Sequence, residues 1–63
     1  MRYLRATSGK QLDICLRMLF FERVPYVVKT VENDRHKIEY HVELNVDDGK
    51  ADELEERYRI LIS

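Results

Sequence analysis

The sequence predicts a single α+β domain whose elements follow the order β-α-β-β-α. Three patterns indicate this order: an apolar stripe with helical spacing over residues 8–22, a strict apolar–polar alternation over residues 38–46, and a second helical stripe over residues 48–61. The chain has 63 residues, which is room for one domain, and no linker or repeat divides it. We therefore treat residues 1–63 as one domain.

The first two elements are a short strand and an amphipathic helix. Residues 1–6 contain Tyr3 and Leu4 just ahead of a helix start signal, and this arrangement predicts a strand. Ser8 and Gln11 fit a capping box, in which each side chain bonds the backbone N–H of the other residue. The apolar stripe of the helix that should face the core consists of Leu12, Cys15, Leu16 and Leu19.

Two strands follow, joined by a turn. The helix should stop near Arg23, because Pro25 disfavours helical geometry in the residue before it. Residues 26–32 are rich in β-branched and aromatic side chains, the next three residues form a turn signal, and residues 38–46 alternate apolar and polar side chains. A three-residue turn predicts the facing pairs Thr30 with Ile38, Val28 with Tyr40, Tyr26 with Val42, and Lys29 with Glu39.

The last element is predicted to be a helix that starts at an aspartate. Asp48 is the expected N-cap, and acidic side chains in the first turn suit the positive end of the helix dipole. We expect helix through about Arg59, while the apolar tail at residues 58–62 leaves a short fourth strand open. The predicted core stripe consists of Ala51, Leu54, Tyr58 and Leu61.

This element order resembles a ferredoxin-like fold cut short, as in the half-length β-α-β-β-α domains of many small bacterial regulatory proteins. The resemblance covers the whole chain but concerns element order only, and no family motif accompanies it. It implies a three-stranded antiparallel sheet covered on one face by two helices. The other face of the sheet and one edge strand would then stay exposed.

Composition narrows the class of protein. Cys15 is the one cysteine, so no disulfide forms within the chain and a reducing compartment is favoured. The longest apolar run covers residues 18–21, far short of the roughly 20 residues that span a membrane. We expect a cytoplasmic protein without a cofactor or bound metal.

Charge is unevenly distributed along the chain. The formal net charge of −1 gives no general attraction to nucleic acid or membranes. Residues 1–24 carry five basic and two acidic side chains, an excess of three positive charges. Residues 25–63 carry six basic and ten acidic side chains, an excess of four negative charges. Such a dipole can align two copies or steer a charged partner.

The first helix carries a second apolar patch. Ile14, Met18 and Phe21 lie on the side opposite the core stripe, whereas a helix that covers a sheet needs one stripe. Exposed apolar clusters mark association sites, so we predict a dimer or partner interface here. The alternative is that Phe21 folds back under the loop to Pro25 and the rest is scattered surface apolarity.

Two polar surfaces are further candidates. One face of the predicted sheet carries Val27, Lys29, Glu39 and His41, which suits a small-ligand site. A divalent metal on Glu39 and His41 is disfavoured, because polar residues at every second position are what a solvated strand face requires. The last helix has an acidic face that suits a basic partner, formed by Asp52, Glu53, Glu55 and Glu56.

No nucleophile, base and orienting group can be assembled from these patterns, so we do not expect an enzyme. The leading hypothesis is a small non-enzymatic interaction protein that regulates or inhibits a larger protein by occupying one of its surfaces. We expect it to be a homodimer, joined either through the patch of Ile14, Met18 and Phe21 or through an exposed strand edge. Small single domains of this type are common among bacterial regulators and phage-encoded inhibitors. Two alternatives stay open: a small-ligand-sensing regulatory domain, and a nucleic-acid-binding protein that uses the basic N-terminal half.

Overall fold

A computed structural model describes residues 2–63, and it shows two helices and a three-stranded sheet. The sheet has the strand order β1-β3-β2, and both strand pairs are antiparallel. The predicted α+β class is therefore confirmed. The elements are β1 (Tyr3–Ala6), α1 (Gly9–Phe21), β2 (Tyr26–Glu32), β3 (Ile38–Leu44) and α2 (Asp48–Ile62).

The predicted register of the β2–β3 hairpin was wrong by two residues. Val28 faces Val42 instead of Tyr40, and Lys29 faces His41 instead of Glu39. Because the side-chain period of a strand is two, this shift leaves every residue on its predicted face. The full set of observed pairs is Tyr26 with Leu44, Val27 with Glu43, Val28 with Val42, Lys29 with His41, Thr30 with Tyr40, Val31 with Glu39 and Glu32 with Ile38.

The loop at residues 33–37 causes the difference in register. The side-chain oxygen of Asn33 accepts hydrogen bonds from the backbone N–H groups of Arg35 (2.9 Å) and Lys37 (3.1 Å). The Asn33 N–H donates to the Lys37 carbonyl, and His36 adopts a left-handed φ of 60°. The connection is thus longer than the three-residue turn that the sequence pattern predicted.

Helix α1 begins as predicted and ends in a Schellman motif. The Ser8 hydroxyl accepts from the Gln11 N–H, while the Gln11 side chain accepts from the N–H of Thr7 and not that of Ser8. At the other end, Arg23 has a left-handed φ of 55° and donates its N–H to the carbonyl of Phe20. The Val24 N–H donates to the Leu19 carbonyl, and both of these side chains are buried.

Helix α2 begins one residue earlier than predicted and runs further. Asp47, not Asp48, is the N-cap, and its carboxylate accepts from the Lys50 N–H at 2.8 Å. The helix continues to Ile62, so the alternative of a fourth strand at residues 58–62 is wrong. Tyr58 is buried and Ile62 packs against the same core one turn later, which explains why the helix continues.

The core combines residues of both helices with the even-numbered strand residues Leu4, Val42 and Leu44. Strand β2 contributes no buried residue, because all seven of its residues are exposed. Within residues 2–63, neither helix combines the length and the apolar composition that crossing a bilayer requires. The buried core residues are Leu4, Cys15, Met18, Leu19, Val24, Val42, Leu44, Ala51, Leu54 and Tyr58.

Candidate functional site

Two neighbouring phenylalanines at the end of α1 are the most exposed large apolar side chains in the described part of the chain. Phe20 is 81% exposed and Phe21 is 89% exposed. They are separated by about 100° around the helix axis, so they point to different sides of α1. Phe21 points toward α2, and Phe20 points toward β2. An apolar groove lies beside each of them.

The groove on the Phe21 side lies between α1 and α2 and has a volume of about 370 Å³. The predicted patch residues Ile14, Met18 and Phe21 all line it, together with Leu61. Met18 is only 6% exposed and belongs to the core, so it is the floor of the groove and not an accessible contact. The structure therefore places two of the three patch residues where a partner can reach their side chains.

Leu61 was assigned to the core stripe of the last helix, and this assignment was wrong. Its side chain is half exposed and lines the groove opposite Ile14. Seven residues are slightly less than two full turns of an α-helix, so a stripe with this spacing drifts around the helix surface. The drift moves Leu61 away from the side that faces the core. Ile62, one position further, packs against the core instead.

Charged side chains border the Phe21 groove. Arg17 pairs with Asp13 across one turn of α1, at 3.1 Å between nitrogen and oxygen. Glu22 pairs with Arg57 and, at 3.6 Å, with Lys50, so it clamps α1 to α2. The groove lining itself contains two arginines and one glutamate, which leaves an excess of one positive charge.

The groove on the Phe20 side lies between α1 and β2 and has a volume of about 440 Å³. Leu16 and Tyr26 line it with Phe20, and Arg17 and Phe21 border both this groove and the one between α1 and α2. The sequence prediction missed Phe20, because this residue lies between the two stripes assigned to the helix. The unbroken apolar run over residues 18–21 was the available signal, since four consecutive residues cannot all face one side of a helix.

The open face of the sheet carries the predicted small-ligand residues Val27, Lys29, Glu39 and His41. Lys29 faces His41 directly, and its ammonium pairs with Glu43 at 3.1 Å. On the other side of β3, the ring of Tyr3 stacks on the ring of His41 with centroids 4.4 Å apart. The four residues therefore share one face, but no groove among those described is lined by all of them.

Glu39 was predicted to lie on a solvated face, yet its side chain is only 9% exposed. Arg5 covers it with two hydrogen bonds, at 2.6 and 2.7 Å, and the Asn33 amide adds a third at 3.0 Å. The Arg5 guanidinium, followed by the Asn33 amide, lowers the pKa of Glu39 from 4.5 to about 2. Arg5 on the neighbouring strand was not recognised as its partner, because strand adjacency was not fixed by the pattern.

The acidic residues of α2 are paired within the chain. Arg2 bonds Asp52 and Glu55, and Arg59 bonds Glu56. Glu53 lies near Lys50 and Arg57, at 3.8 and 3.6 Å. This pairing reduces the negative potential that a basic partner would meet, although the acidic face stays a prediction. Ion pairs between the two halves of the chain, such as Arg2 with Asp52, also bring opposite charges of the two halves together and weaken the predicted charge dipole.

The thiol of Cys15 and the side chains that could bind a metal ion are the remaining groups with possible chemical roles. Cys15 is fully buried, and burial raises the pKa of its thiol to about 11, so little nucleophilic thiolate forms at neutral pH. Within residues 2–63, no three His, Cys, Asp or Glu side chains form a cluster that could hold a metal ion.

Comparison with known proteins finds no matching family model, no matching curated protein and no matching solved structure. The assignment of function therefore depends on the surfaces described above.

Proposed function

We propose that this chain is a non-enzymatic protein–protein interaction module, a homodimeric regulator or inhibitor that occupies a surface of a larger partner. The exposure of Phe20 and Phe21 at the end of α1 carries this proposal. Two adjacent aromatic side chains exposed to water would lower the free energy if they were buried, and docking to another protein would bury them.

A half-length ferredoxin-like architecture is part of the proposal. The sheet order β1-β3-β2 and the element order β-α-β-β-α support it. Core residues from both α1 and α2 pack with Leu4 and Val42 of the sheet, which supports helices on one face. In this architecture the last turn of α1 buries Met18 and Leu19 and presents Phe21 to solvent, where a partner can reach it.

The Phe21 groove suits an apolar segment of the partner. Ile14, Phe21 and Leu61 provide apolar walls that a helix or loop of the partner can fill with leucine-like or aromatic side chains. Arg17 and Arg57 at the border already pair with Asp13 and Glu22, so the apolar walls carry the contact. Moderate salt should therefore change the affinity little.

The other two predicted roles receive less support from the structure. A nucleic-acid surface needs positive charges that are free to neutralise phosphates, whereas Arg2 and Arg5 of the basic half already bond carboxylates. A small-ligand site is usually concave, whereas the predicted ligand face is an open strand surface on which Lys29 is paired with Glu43.

The proposal is tested by affinity capture with the full chain and two variants. Phe21→Ser removes the exposed aromatic side chain at the end of α1. Ile38→Thr is the control, because it removes an exposed apolar side chain at the start of β3, away from the groove. We expect a partner that binds the wild type and Ile38→Thr but is lost with Phe21→Ser. The purified partner should then protect the backbone around residues 14–21 and 61 from hydrogen exchange.

Both variants should keep the wild-type circular dichroism spectrum, because both replaced side chains are exposed. A partner whose binding and hydrogen-exchange footprint are unaffected by Phe21→Ser would contradict the assignment of the groove. Binding to the open sheet face instead would move the site to Lys29 and His41.

A further inference from the structure

Strand β2 is the part of the sheet that lacks cover. Every one of its residues is exposed, whereas β1 buries Leu4 and Ala6, and β3 buries Val42 and Leu44. Val27 and Val31 lie on the open face, and Tyr26 and Val28 lie on the helix face beyond the reach of the core. A strand with apolar residues on both faces and a free edge is a template for pairing with another chain.

The hydrogen-bond pattern shows which backbone groups face the free edge of β2. The carbonyl of Pro25 accepts from Asn45, and the N–H of Asn33 donates to the Lys37 carbonyl. Hydrogen-bonded pairs alternate in an antiparallel ladder, so the odd-numbered residues of β2 bond β3. The N–H and carbonyl groups of the even-numbered residues therefore point outward: Tyr26, Val28, Thr30 and Glu32.

Charges that commonly protect an edge strand are engaged elsewhere in β2. The Lys29 ammonium pairs with Glu43 on the neighbouring strand at 3.1 Å. The Glu32 carboxylate contacts the His36 ring at 2.8 Å. These two residues are the charged members of β2, and Glu32 lies at its last position, away from the apolar residues Tyr26–Val28.

We infer that β2 pairs antiparallel with β2 of a second copy, around a two-fold axis at Val28. Outward-facing residues must pair with outward-facing residues, which restricts the centre of the pairing to a few positions. A centre at Lys29 places two lysines opposite each other, which is unfavourable. A centre at Thr30 places Val28 opposite a glutamate of the second copy.

The centre at Val28 gives the best set of cross-strand neighbours. Val28 faces Val28 of the second copy, and Tyr26 faces Thr30, so β-branched and aromatic side chains lie together on the helix face. On the open face, Val27 faces Lys29, whose charge is already neutralised by Glu43. No like charges meet in this register.

This pairing also covers Phe20. A two-fold axis perpendicular to the sheet keeps the helices of both copies on the same side, and the two three-stranded sheets become one continuous sheet. Phe20 borders the groove above β2 with Tyr26, and in this register Tyr26 faces Thr30 of the second copy, so the strand of the second copy lies beside this groove. The contact is closed and self-complementary, and it leaves open the groove between α1 and α2, which contains no residue of β2.

This inference deepens the proposed function, because it names a second copy of the chain as one partner. It rests on the proposed function in one respect, that the protein acts by associating with other chains. Its test uses two variants with opposite charges at the axis, Val28→Glu and Val28→Lys. Each variant alone should dimerise at least about tenfold more weakly than the wild type in sedimentation equilibrium, because like charges then face each other. An equimolar mixture should restore the dimer, because only a Val28 axis places the two charges opposite each other.

The matched control is Ile60→Glu, which adds the same charge at an exposed apolar position on α2, away from the β2 edge. This control should dimerise at least as well as the wild type. If the Val28 variants do not fold, amide exchange of the wild type decides: the N–H groups of Val28 and Thr30 should exchange slowly in concentrated protein and fast in dilute protein.

Wild-type protein that stays monomeric, or Val28→Glu protein that dimerises like the wild type, would overturn the inference. So would fast exchange of the Val28 and Thr30 amides at high protein concentration. A monomer that still binds its partner through Phe21 would leave the proposed function standing, which separates the two failures.

Discussion

The hydroxyl of Tyr58 donates a hydrogen bond to the carbonyl oxygen of Arg5 at 2.9 Å. The carbonyl of Arg2 accepts a hydrogen bond from the Leu44 N–H, so the even-numbered residues of β1 bond β3. The backbone groups of the odd-numbered residues, including the Arg5 carbonyl, therefore point away from β3. Tyr58 therefore covers the free edge of β1 from helix α2. One edge of the sheet is closed by the chain itself, and the edge at β2 is open.

Loss of this hydrogen bond should destabilise the fold. Tyr58→Phe keeps the buried ring but leaves the Arg5 carbonyl without its donor, and we expect a loss of about 1 kcal/mol in the free energy of unfolding. Urea unfolding followed by circular dichroism measures it. Tyr40→Phe, at a partly exposed residue, is the control and should change stability little. Equal stability of Tyr58→Phe and the wild type would show that water replaces the tyrosine.

The end of α1 stores strain that a glycine would relieve. Arg23 adopts a left-handed φ of 55° in the Schellman motif, where glycine is the usual residue. Arg23→Gly should stabilise the chain by about 0.5–1 kcal/mol. The left-handed conformation costs other residues roughly 1–2 kcal/mol, which glycine avoids. Glycine also raises the conformational entropy of the unfolded chain, and this offsets part of the gain. Arg23→Ala should bring no such gain. A lower melting temperature for Arg23→Gly would indicate that the arginine side chain itself stabilises the helix end.

Stability at acidic pH should depend on Glu39. Its pKa is lowered to about 2 in the folded chain, so the carboxylate stabilises the fold above its ordinary pKa near 4.5. This contribution should disappear as the pH falls from about 4.5 toward 2. Glu39→Gln should flatten the decline of stability over that range in urea titrations at several pH values, whereas Asp34→Asn in the exposed loop should not. An unchanged decline in Glu39→Gln would assign acid sensitivity to other carboxylates.

The thiol of Cys15 should resist modification in the folded chain. It is fully buried, and burial raises its pKa to about 11. A thiol reagent at neutral pH should therefore react at the rate of local or global unfolding, and quickly in denaturant. Rapid reaction in native buffer would mean that α1 separates readily from the core.

Local signals in the sequence predicted much of the fold. The serine cap of α1, the alternation in β3 and the helical stripe of α2 each specify their element within a few residues. The hairpin register was missed because it depends on the backbone conformation of one residue, His36, and on two hydrogen bonds to the Asn33 side chain. Such conformations are not visible in an apolar–polar pattern.

The candidate surfaces were less predictable than the elements. Met18 and Phe21 share one side of α1 in sequence terms, yet the packing of α2 buries the first and leaves the second exposed. Phe20 became relevant only once β2 was placed beside it. Long-range ion pairs, such as Arg5 with Glu39, follow from strand adjacency, which no local pattern encodes.

The central claim is that the chain has two separate association surfaces, the β2 edge for a second copy and the Phe21 groove for a partner. Light scattering over a concentration series of wild-type and Phe21→Ser protein tests this separation most directly. We predict that both proteins reach twice the monomer mass of 7.6 kDa over the same concentration range. A mass of 7.6 kDa at every concentration, or a dimer that dissociates in Phe21→Ser, would contradict the account.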